Sequence, residues 1–148
     1  MRLWHQKLIP YLDRQRLLGQ HRELCALRGR GWGRKHATVD YVFSYDPCLL
    51  VAYHYCVMEE MRRRGYHPDK TWENPDWRGN QIGEVCDWAD AEGVEELWRN
   101  ANQTCNIIYP EHDDNYLREC IQLLKEKDAP IDWEKLEEKL YLKEKEGK

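Results

Sequence analysis

The spacing of apolar residues predicts that the first long element of this chain is an α-helix over residues 13–28. Apolar positions recur there every three or four residues, which is the period of a helix with one face against a core. That face holds Leu17, Leu18, His21, Leu24, Cys25 and Arg28. His21 is expected to be a hydrogen-bonded core histidine. Glu23 and Arg16 point nearly the opposite way, so periodicity alone makes Glu23 a solvated carboxylate.

A second helix has the clearest start and end signals in the sequence. Asp46 is a typical N-cap residue, Pro47 suits the first helical position, and Gly65 follows the last turn. The run between them is apolar on nearly every side. We therefore predict that this helix is the buried centre of the fold.

The rest of the chain predicts further helices separated by loops. Residues 36–43 alternate β-branched and aromatic residues and suggest a short extended piece, whereas residues 71–80 have the composition of a loop. Residues 83–101 suggest one broken helix or two short ones around Gly93. Two more helices are expected, one from Asp113 or Asp114 to about Lys127 and one capped by Asp132. The pattern predicts a mainly α, compact single-domain bundle with little or no β structure.

The 148 residues suffice for one self-sufficient domain, which we expect to be monomeric. The net charge of −4 conceals a strong asymmetry along the chain. Residues 1–36 carry nine Lys and Arg against two acidic side chains, whereas residues 71–148 carry ten basic and twenty acidic ones. A basic N-terminal region can attract and orient a polyanion, and the acidic remainder of the protein can limit indiscriminate binding.

Composition argues against several other classes of protein. The six cysteines form no Cys-x-x-Cys pair and His54 and Cys56 fall on different faces of a helix, so we expect neither a disulfide framework nor a bound metal. No phosphate-binding or dinucleotide-binding fingerprint is present, and no organic cofactor is expected. Arg2, His5 and Lys7 interrupt the first residues, which predicts a soluble cytoplasmic protein without a membrane segment.

The strongest candidate for chemistry is the stretch from Leu12 to His36, where the first helix runs into the loop GRGWGRKH. The loop places basic side chains around Trp32, a ring that either packs back on the protein or stacks on a partner. Its basic residues are Arg30, Arg34, Lys35 and His36. On these grounds alone the chain reads as a helical domain that binds nucleic acid.

Four motifs, in order, resemble the pyrimidine-dimer DNA glycosylase family over residues 1–82. The first helix matches L-x-x-Q-x-L-x-x-x-x-R-E-L with Leu12, Gln15, Leu17, Arg22, Glu23 and Leu24. The turn after it matches G-x-x-H-x-T with Gly33, His36 and Thr38. The later motifs are R-G-aromatic at Arg64, Gly65 and Tyr66, and P-x-aromatic-R-G-x-x-I at Pro75, Trp77, Arg78, Gly79 and Ile82.

The resemblance implies a DNA repair glycosylase with abasic-site lyase activity, acting on double-stranded DNA with a damaged base through the N-terminal amine and a Schiff base. Because Arg2 is too large for removal of the initiator methionine, the nucleophile would be the α-amine of Met1. Glu23 would be the acid/base group. The resemblance, with the basic pattern, assigns DNA contacts to Arg2, Gln15, Arg16, Arg22, Trp32, Arg34, Lys35, His36 and Arg78.

The resemblance also divides the chain and leaves alternatives. Residues 1–82 would form the glycosylase-like core, residues 83–108 an insertion and residues 109–148 the C-terminal helices. The family has a further arginine where this chain has Ala26, and Arg28 is the candidate substitute. Two other functions remain open: a non-catalytic nucleic-acid-binding or damage-recognition domain on the same scaffold, and a helical module that binds a protein partner.

Overall fold

The computed structural model describes the backbone of residues 1–146 and the side chains of residues 1–140, and it is mainly α. The α-helices are α1 (Arg14–Arg28), α2 (Pro47–Arg63), α3 (Ala91–Thr104), α4 (Asp114–Glu126) and α5 (Trp133–Glu146). Short 3₁₀ helices span Gln6–Tyr11, Asp40–Ser44 and Lys70–Glu73. Within residues 1–146 there is no β-strand, and the isolated bridge between Trp77 and Glu84 is the β-type pairing found. The predicted fold class is confirmed.

The predicted helix starts agree with the capping contacts. Asp13 accepts a hydrogen bond from the Arg16 amide at the start of α1, and Asp46 accepts one from the Cys48 amide at the start of α2. Asp113 does the same for α4, where it accepts from the amide of Tyr116. α2 is the buried centre of the molecule, as its composition predicted, and most of its side chains belong to the core.

Two predicted elements were wrong. Residues 36–43 are not extended but form turns that lead into the 3₁₀ helix Asp40–Ser44. Val39 and Val42 are both fully buried there, and a spacing of three residues puts both on one side of a 3₁₀ turn. Residues 83–101 do not form a broken helix, because residues 83–90 are irregular and α3 is continuous from Ala91.

Gly93 lies inside α3 because the helix packs closely on α2. A Cβ atom at this position would lie 3.1 Å from Cys48 Sγ and 3.1 Å from the side chain of Asp90. Glycine therefore allows close approach and does not break the helix. The proposed insertion, residues 83–108, thus includes a helix packed on the central one, and the three-part division of the chain stays a prediction.

The buried face of α1 is rotated from the predicted one. Its buried side chains are Leu17, Gln20, Leu24, Leu27 and Arg28, whereas Leu18, His21 and Cys25 are half-buried. A polar residue, Gln20, therefore lies in the middle of the core-facing stripe.

Among the described residues, no helix combines the length and apolar character that spanning a bilayer requires.

Candidate active site

The first four residues are held in place by side chains from four other parts of the fold. Every carbonyl group from Met1 to Trp4 accepts a side-chain hydrogen bond. The donors, in order, are Thr38 Oγ1, Gln20 Nε2, the Tyr116 hydroxyl and the Tyr53 hydroxyl. Because the anchors come from the loop after α1, from α1 itself, and from α4 and α2, the position of the N-terminus is fixed by the tertiary fold.

Glu23 lies beside this anchored segment. Its Oε2 atom accepts a hydrogen bond of 3.0 Å from Gln20 Nε2, the same nitrogen that donates to the Arg2 carbonyl. The carboxylate is half-buried, so the expectation of a fully exposed, solvated side chain was wrong. The rotation of α1 explains this, because Gln20 and Glu23 are three residues apart and share a helix face.

The charges around Glu23 include the N-terminal amine. Burial raises the pKa of the Glu23 carboxyl, and the positive charges of the Met1 amine, Arg22 and Lys127 oppose that rise, together with the Gln20 hydrogen bond. The amine and the carboxylate are close enough to interact electrostatically, yet they form no ion pair within 4.0 Å. Met1 itself is 44 % exposed. The amine of this partly exposed residue therefore lies near the half-buried Glu23 carboxylate without direct contact.

The other predicted DNA contacts divide into exposed and engaged side chains. Gln15, Arg22, Arg34, Lys35 and His36 are exposed. The half-buried side chains have partners within the protein. Arg2 lies 3.5 Å from Glu119 and 5.6 Å from the centre of the Tyr116 ring, and Arg16 is 3.2 Å from Asp13.

Trp32 and Arg78 belong to one aromatic cluster. The Trp32 ring packs edge-on against Phe43 and Trp88, with ring centres 5.0 Å and 5.4 Å apart. Of the two alternatives for this ring, the structure therefore shows packing on the protein itself. The Arg78 guanidinium lies 4.6 Å from the centre of the Trp88 ring and donates to the carbonyls of Arg28 and Gly29. These contacts hold the loop after α1 against residues 78–88. A DNA contact by either side chain stays a prediction.

Arg28 cannot take the place of the family's further arginine, because its side chain is fully buried. Its guanidinium donates to the backbone carbonyls of Trp72, Asn74 and Trp77 and to His54 Nδ1. It therefore anchors residues 72–77 to α1 and α2. That correction leaves Arg30, which is exposed at the start of the loop, as the nearest free arginine after the Arg22–Glu23 pair.

His21, Cys25 and His54 lie close together, within 4.8 Å, in an arrangement that fits a hydrogen-bond chain better than a metal site. His21 Nδ1 and His54 Nε2 are 2.8 Å apart, whereas two nitrogens on a tetrahedral zinc ion are about 3.3 Å apart. Because arginine only donates, Arg28 makes His54 Nδ1 an acceptor, and His54 Nε2 then carries the proton that His21 accepts. Burial also raises the pKa of the Cys25 thiol to about 12. The predicted hydrogen bond of His21 is confirmed, but the side chain is half-buried and not in the core.

Sequence reasoning missed Gln20, Thr38, Tyr116 and Lys127 as parts of this site. Thr38 was noted as a motif residue without a role, and Lys127 only as the end of a predicted helix. Gln20 carried a signal, because it lies three residues before Glu23. The contacts of Tyr116 and Lys127 had no sequence signal, since α4 is more than ninety residues away along the chain.

Residues 1–74 match the family model of the pyrimidine dimer DNA glycosylases, which is half of the chain. The chain belongs to the pyrimidine dimer DNA glycosylase family. Comparisons with curated proteins and with solved structures gave no match. The matched half contains Met1, Gln20, Glu23, Thr38 and Tyr53, so most of the anchored N-terminal site lies within it. Family membership indicates a glycosylase-type function in DNA repair, with DNA as the substrate.

Proposed function

We propose that this pyrimidine dimer glycosylase family member excises a damaged base and cleaves the resulting abasic site, with the α-amine of Met1 as nucleophile and Glu23 as acid/base group. The observation that carries the proposal is that the half-buried Glu23 carboxylate lies near the anchored N-terminus and shares the Gln20 donor with it. In this proposal the deoxyribose of the damaged nucleotide binds where both groups contact it. The proposal takes Met1 as the first residue of the active protein.

The chemistry of an α-amine suits this role. Its unperturbed pKa is about 8, against about 10.4 for a lysine side chain, so much more of it is unprotonated at neutral pH. The nitrogen lone pair would form a bond to C1′ of the sugar while the bond from C1′ to the base breaks. The base leaves with the electron pair of the broken bond and takes up a proton, and the attacking nitrogen loses one.

Glu23 would serve the steps that follow. The nitrogen lone pair then forms a C1′=N double bond while the C1′–O4′ bond breaks and O4′ takes up a proton, which gives a protonated Schiff base between the amine and the sugar. The Glu23 carboxylate then accepts a proton from C2′, the 3′-phosphate leaves, and the strand is cut by β-elimination. Water finally hydrolyses the imine and frees the amine. Burial supports this use of Glu23, because a carboxyl whose pKa is raised is a better proton acceptor at neutral pH.

The exposed cations near Glu23 and along the loop after α1 suit a polyanionic substrate. Arg22 and Lys127 flank Glu23, and the exposed residues Arg30, Arg34, Lys35 and His36 extend the positive surface along the loop after α1. Phosphate contacts of this kind position a duplex without reading its sequence. We assign these side chains to phosphate binding, together with Arg2, Gln15 and Arg16.

Borohydride trapping on a duplex with one abasic site tests the mechanism. Protein with a free Met1 amine should form a covalent adduct, and peptide mapping should find the added mass on Met1. Protein whose α-amine has been acetylated should form none. An adduct on a lysine, or equal trapping by the acetylated protein, would overturn the assignment of Met1. Salt-dependent DNA binding with no adduct at all would instead favour the non-catalytic alternative.

A further inference from the structure

Gln20 is the residue that connects the N-terminal segment to Glu23. Its side chain is 1 % exposed and makes four hydrogen bonds. Oε1 accepts from the Trp4 amide at 2.8 Å and from the Tyr53 hydroxyl at 3.1 Å. Nε2 donates to the Arg2 carbonyl and to Glu23 Oε2, both at 3.0 Å. The primary amide has two acceptor positions and two donor hydrogens, so its capacity is fully used.

These contacts allow only one orientation of the amide. A backbone N–H can only donate, so the atom that faces the Trp4 amide must be the side-chain oxygen. A flipped amide would put its NH₂ group against that N–H and its oxygen against both the Arg2 carbonyl and the Glu23 carboxylate. Gln20 is therefore a fixed donor toward Glu23. Its Nε2 atom is held at the same time by the carbonyl of Arg2, the residue next to Met1 and its amine.

We propose that Gln20 is a positioning residue that holds the Met1 amine and the Glu23 carboxylate in register for the reaction. This inference rests on the proposed function. Two separate tasks follow from the geometry. The bonds to Trp4 and Arg2 fix where the N-terminal segment runs, and the bond to Oε2 fixes which carboxylate oxygen is left free to face the substrate.

The hydrogen bond also favours the charged form of Glu23, because a donor stabilises a carboxylate more than a carboxylic acid. Loss of the donor should therefore raise the pKa of Glu23. A purely structural glutamine would affect folding stability but would have no reason to move the titration of one carboxyl. This difference separates a positioning role from a structural one.

The test uses two substitutions and one matched control. Gln20→Met removes the amide with little change in size. Gln20→Glu keeps oxygen acceptors toward Trp4 and Tyr53 but removes the donor to Glu23, so it can decide the question if Gln20→Met does not fold. Gln6→Met is the control, because Gln6 is also a buried glutamine and bridges to Asn106 and Ile108 instead.

The measurements are single-turnover borohydride trapping across pH and an NMR titration of Glu23 in the free protein. Both Gln20 variants should trap roughly 10- to 100-fold more slowly than the wild type at neutral pH, since small displacements of reacting groups have effects of that size. The acid side of their pH profile and the Glu23 titration should both move to higher pH. Gln6→Met should lower the unfolding temperature and leave both unchanged.

The outcomes separate this inference from the proposed function. If the wild type traps DNA and folded Gln20 variants do so at the wild-type rate with an unmoved pH profile, Gln20 has no positioning role. If the wild type forms no adduct, the proposed function fails. In that case the NMR titration still tests the hydrogen bond from Gln20 to Glu23. A Glu23 pKa that rises only in the Gln20 variants would support this part of the inference, and an unchanged Glu23 pKa would overturn it.

Discussion

α1 carries two networks of polar side chains, and they differ in where they end. The first runs from Gln20 to Glu23 and ends at a half-buried carboxylate beside the exposed N-terminus. The second runs from Arg28 through His54 to His21 and is tied to the backbone carbonyls of residues 72, 74 and 77. The first network leaves the Glu23 carboxylate partly exposed to solvent. In the second network, the Arg28 guanidinium makes its hydrogen bonds inside the protein.

The difference shows that burial of a charged residue does not by itself indicate function. Arg28 is more buried than Glu23, and burial lowers the pKa of its guanidinium to about 10. Its donors nevertheless serve to hold a loop. A functional group has to keep an atom available to a substrate, as Glu23 does with the carboxylate oxygen that Gln20 does not bind.

The largest expected effect is on catalysis by the first network. Glu23→Gln should slow trapping on abasic DNA by about 10²- to 10⁴-fold, the range for loss of an acid/base group. The free energy of unfolding should fall little, because the half-buried carboxylate already has a raised pKa and gains nothing from an ion pair. Trapping kinetics and urea unfolding on the same sample measure both.

Glu95→Gln is the control for that substitution. Glu95 is an exposed carboxylate on α3, where it is paired with Arg99 at 3.5 Å. It should trap DNA at the wild-type rate. A loss of activity equal to that of Glu23→Gln would mean that the trapping assay responds to total charge and does not identify the acid/base group.

Substitution of Arg28 in the second network should lower the free energy of unfolding. Arg28→Met leaves the carbonyls of Trp72, Asn74 and Trp77 without their donor, and each unsatisfied buried group costs about 1–3 kcal/mol. We expect a loss of at least about 3 kcal/mol in urea unfolding. Arg30→Met, at an exposed position two residues later, should change stability by less than about 0.5 kcal/mol. Equal effects of the two would contradict the structural role of Arg28.

Acid should destabilise the protein through its buried histidines. Burial lowers the pKa of His5 to about 4 and of His112 to about 3, and it lowers the pKa of His54 well below the usual value. The unfolded chain takes up protons near pH 6.5, whereas the folded rings do not. The free energy of unfolding should therefore fall as the pH decreases from about 7 to 4, by about 1.4 kcal/mol per pH unit for each such histidine.

A matched pair of substitutions assigns part of that slope to the second network. His54→Gln removes one buried histidine, so the pH dependence of stability should become shallower by about one proton. His67→Gln changes an exposed histidine and should leave the slope unchanged. An unaltered slope in His54→Gln would mean that the ring is charged in the folded protein, contrary to its contact with Arg28.

The sequence predicted the mainly helical fold and the capped starts of the main helices because these depend on local patterns. Asp46 caps α2 as expected, and α1 and α4 begin at the predicted places, where Asp13 and Asp113 are the capping residues. The elements that were wrong depend on tertiary contacts. Gly93 looked like a helix breaker, and only its contact with Cys48 shows why a glycine is needed inside α3.

The site was predicted in part for the same reason. Glu23 was found through its place in a family motif, whereas its periodicity predicted a solvated side chain. The rotation of α1 that buries Gln20 follows from packing against α2, which a stripe of apolar residues does not determine when polar residues lie at its edge. Tyr116 and Lys127 reach the site from α4, and such long-range contacts leave no local pattern.

The smallest expected effect concerns the exposed cations near Glu23, to which we assign phosphate contacts. Arg22→Gln should weaken binding to undamaged duplex several-fold and reduce the slope of log affinity against log salt by about one, because one phosphate contact is lost. Arg99→Gln, an exposed arginine on α3, should change neither quantity. Filter binding or fluorescence anisotropy at several salt concentrations measures both. A salt slope that both variants reduce equally would mean that DNA is held by the general charge of the protein and not by the surface beside Glu23.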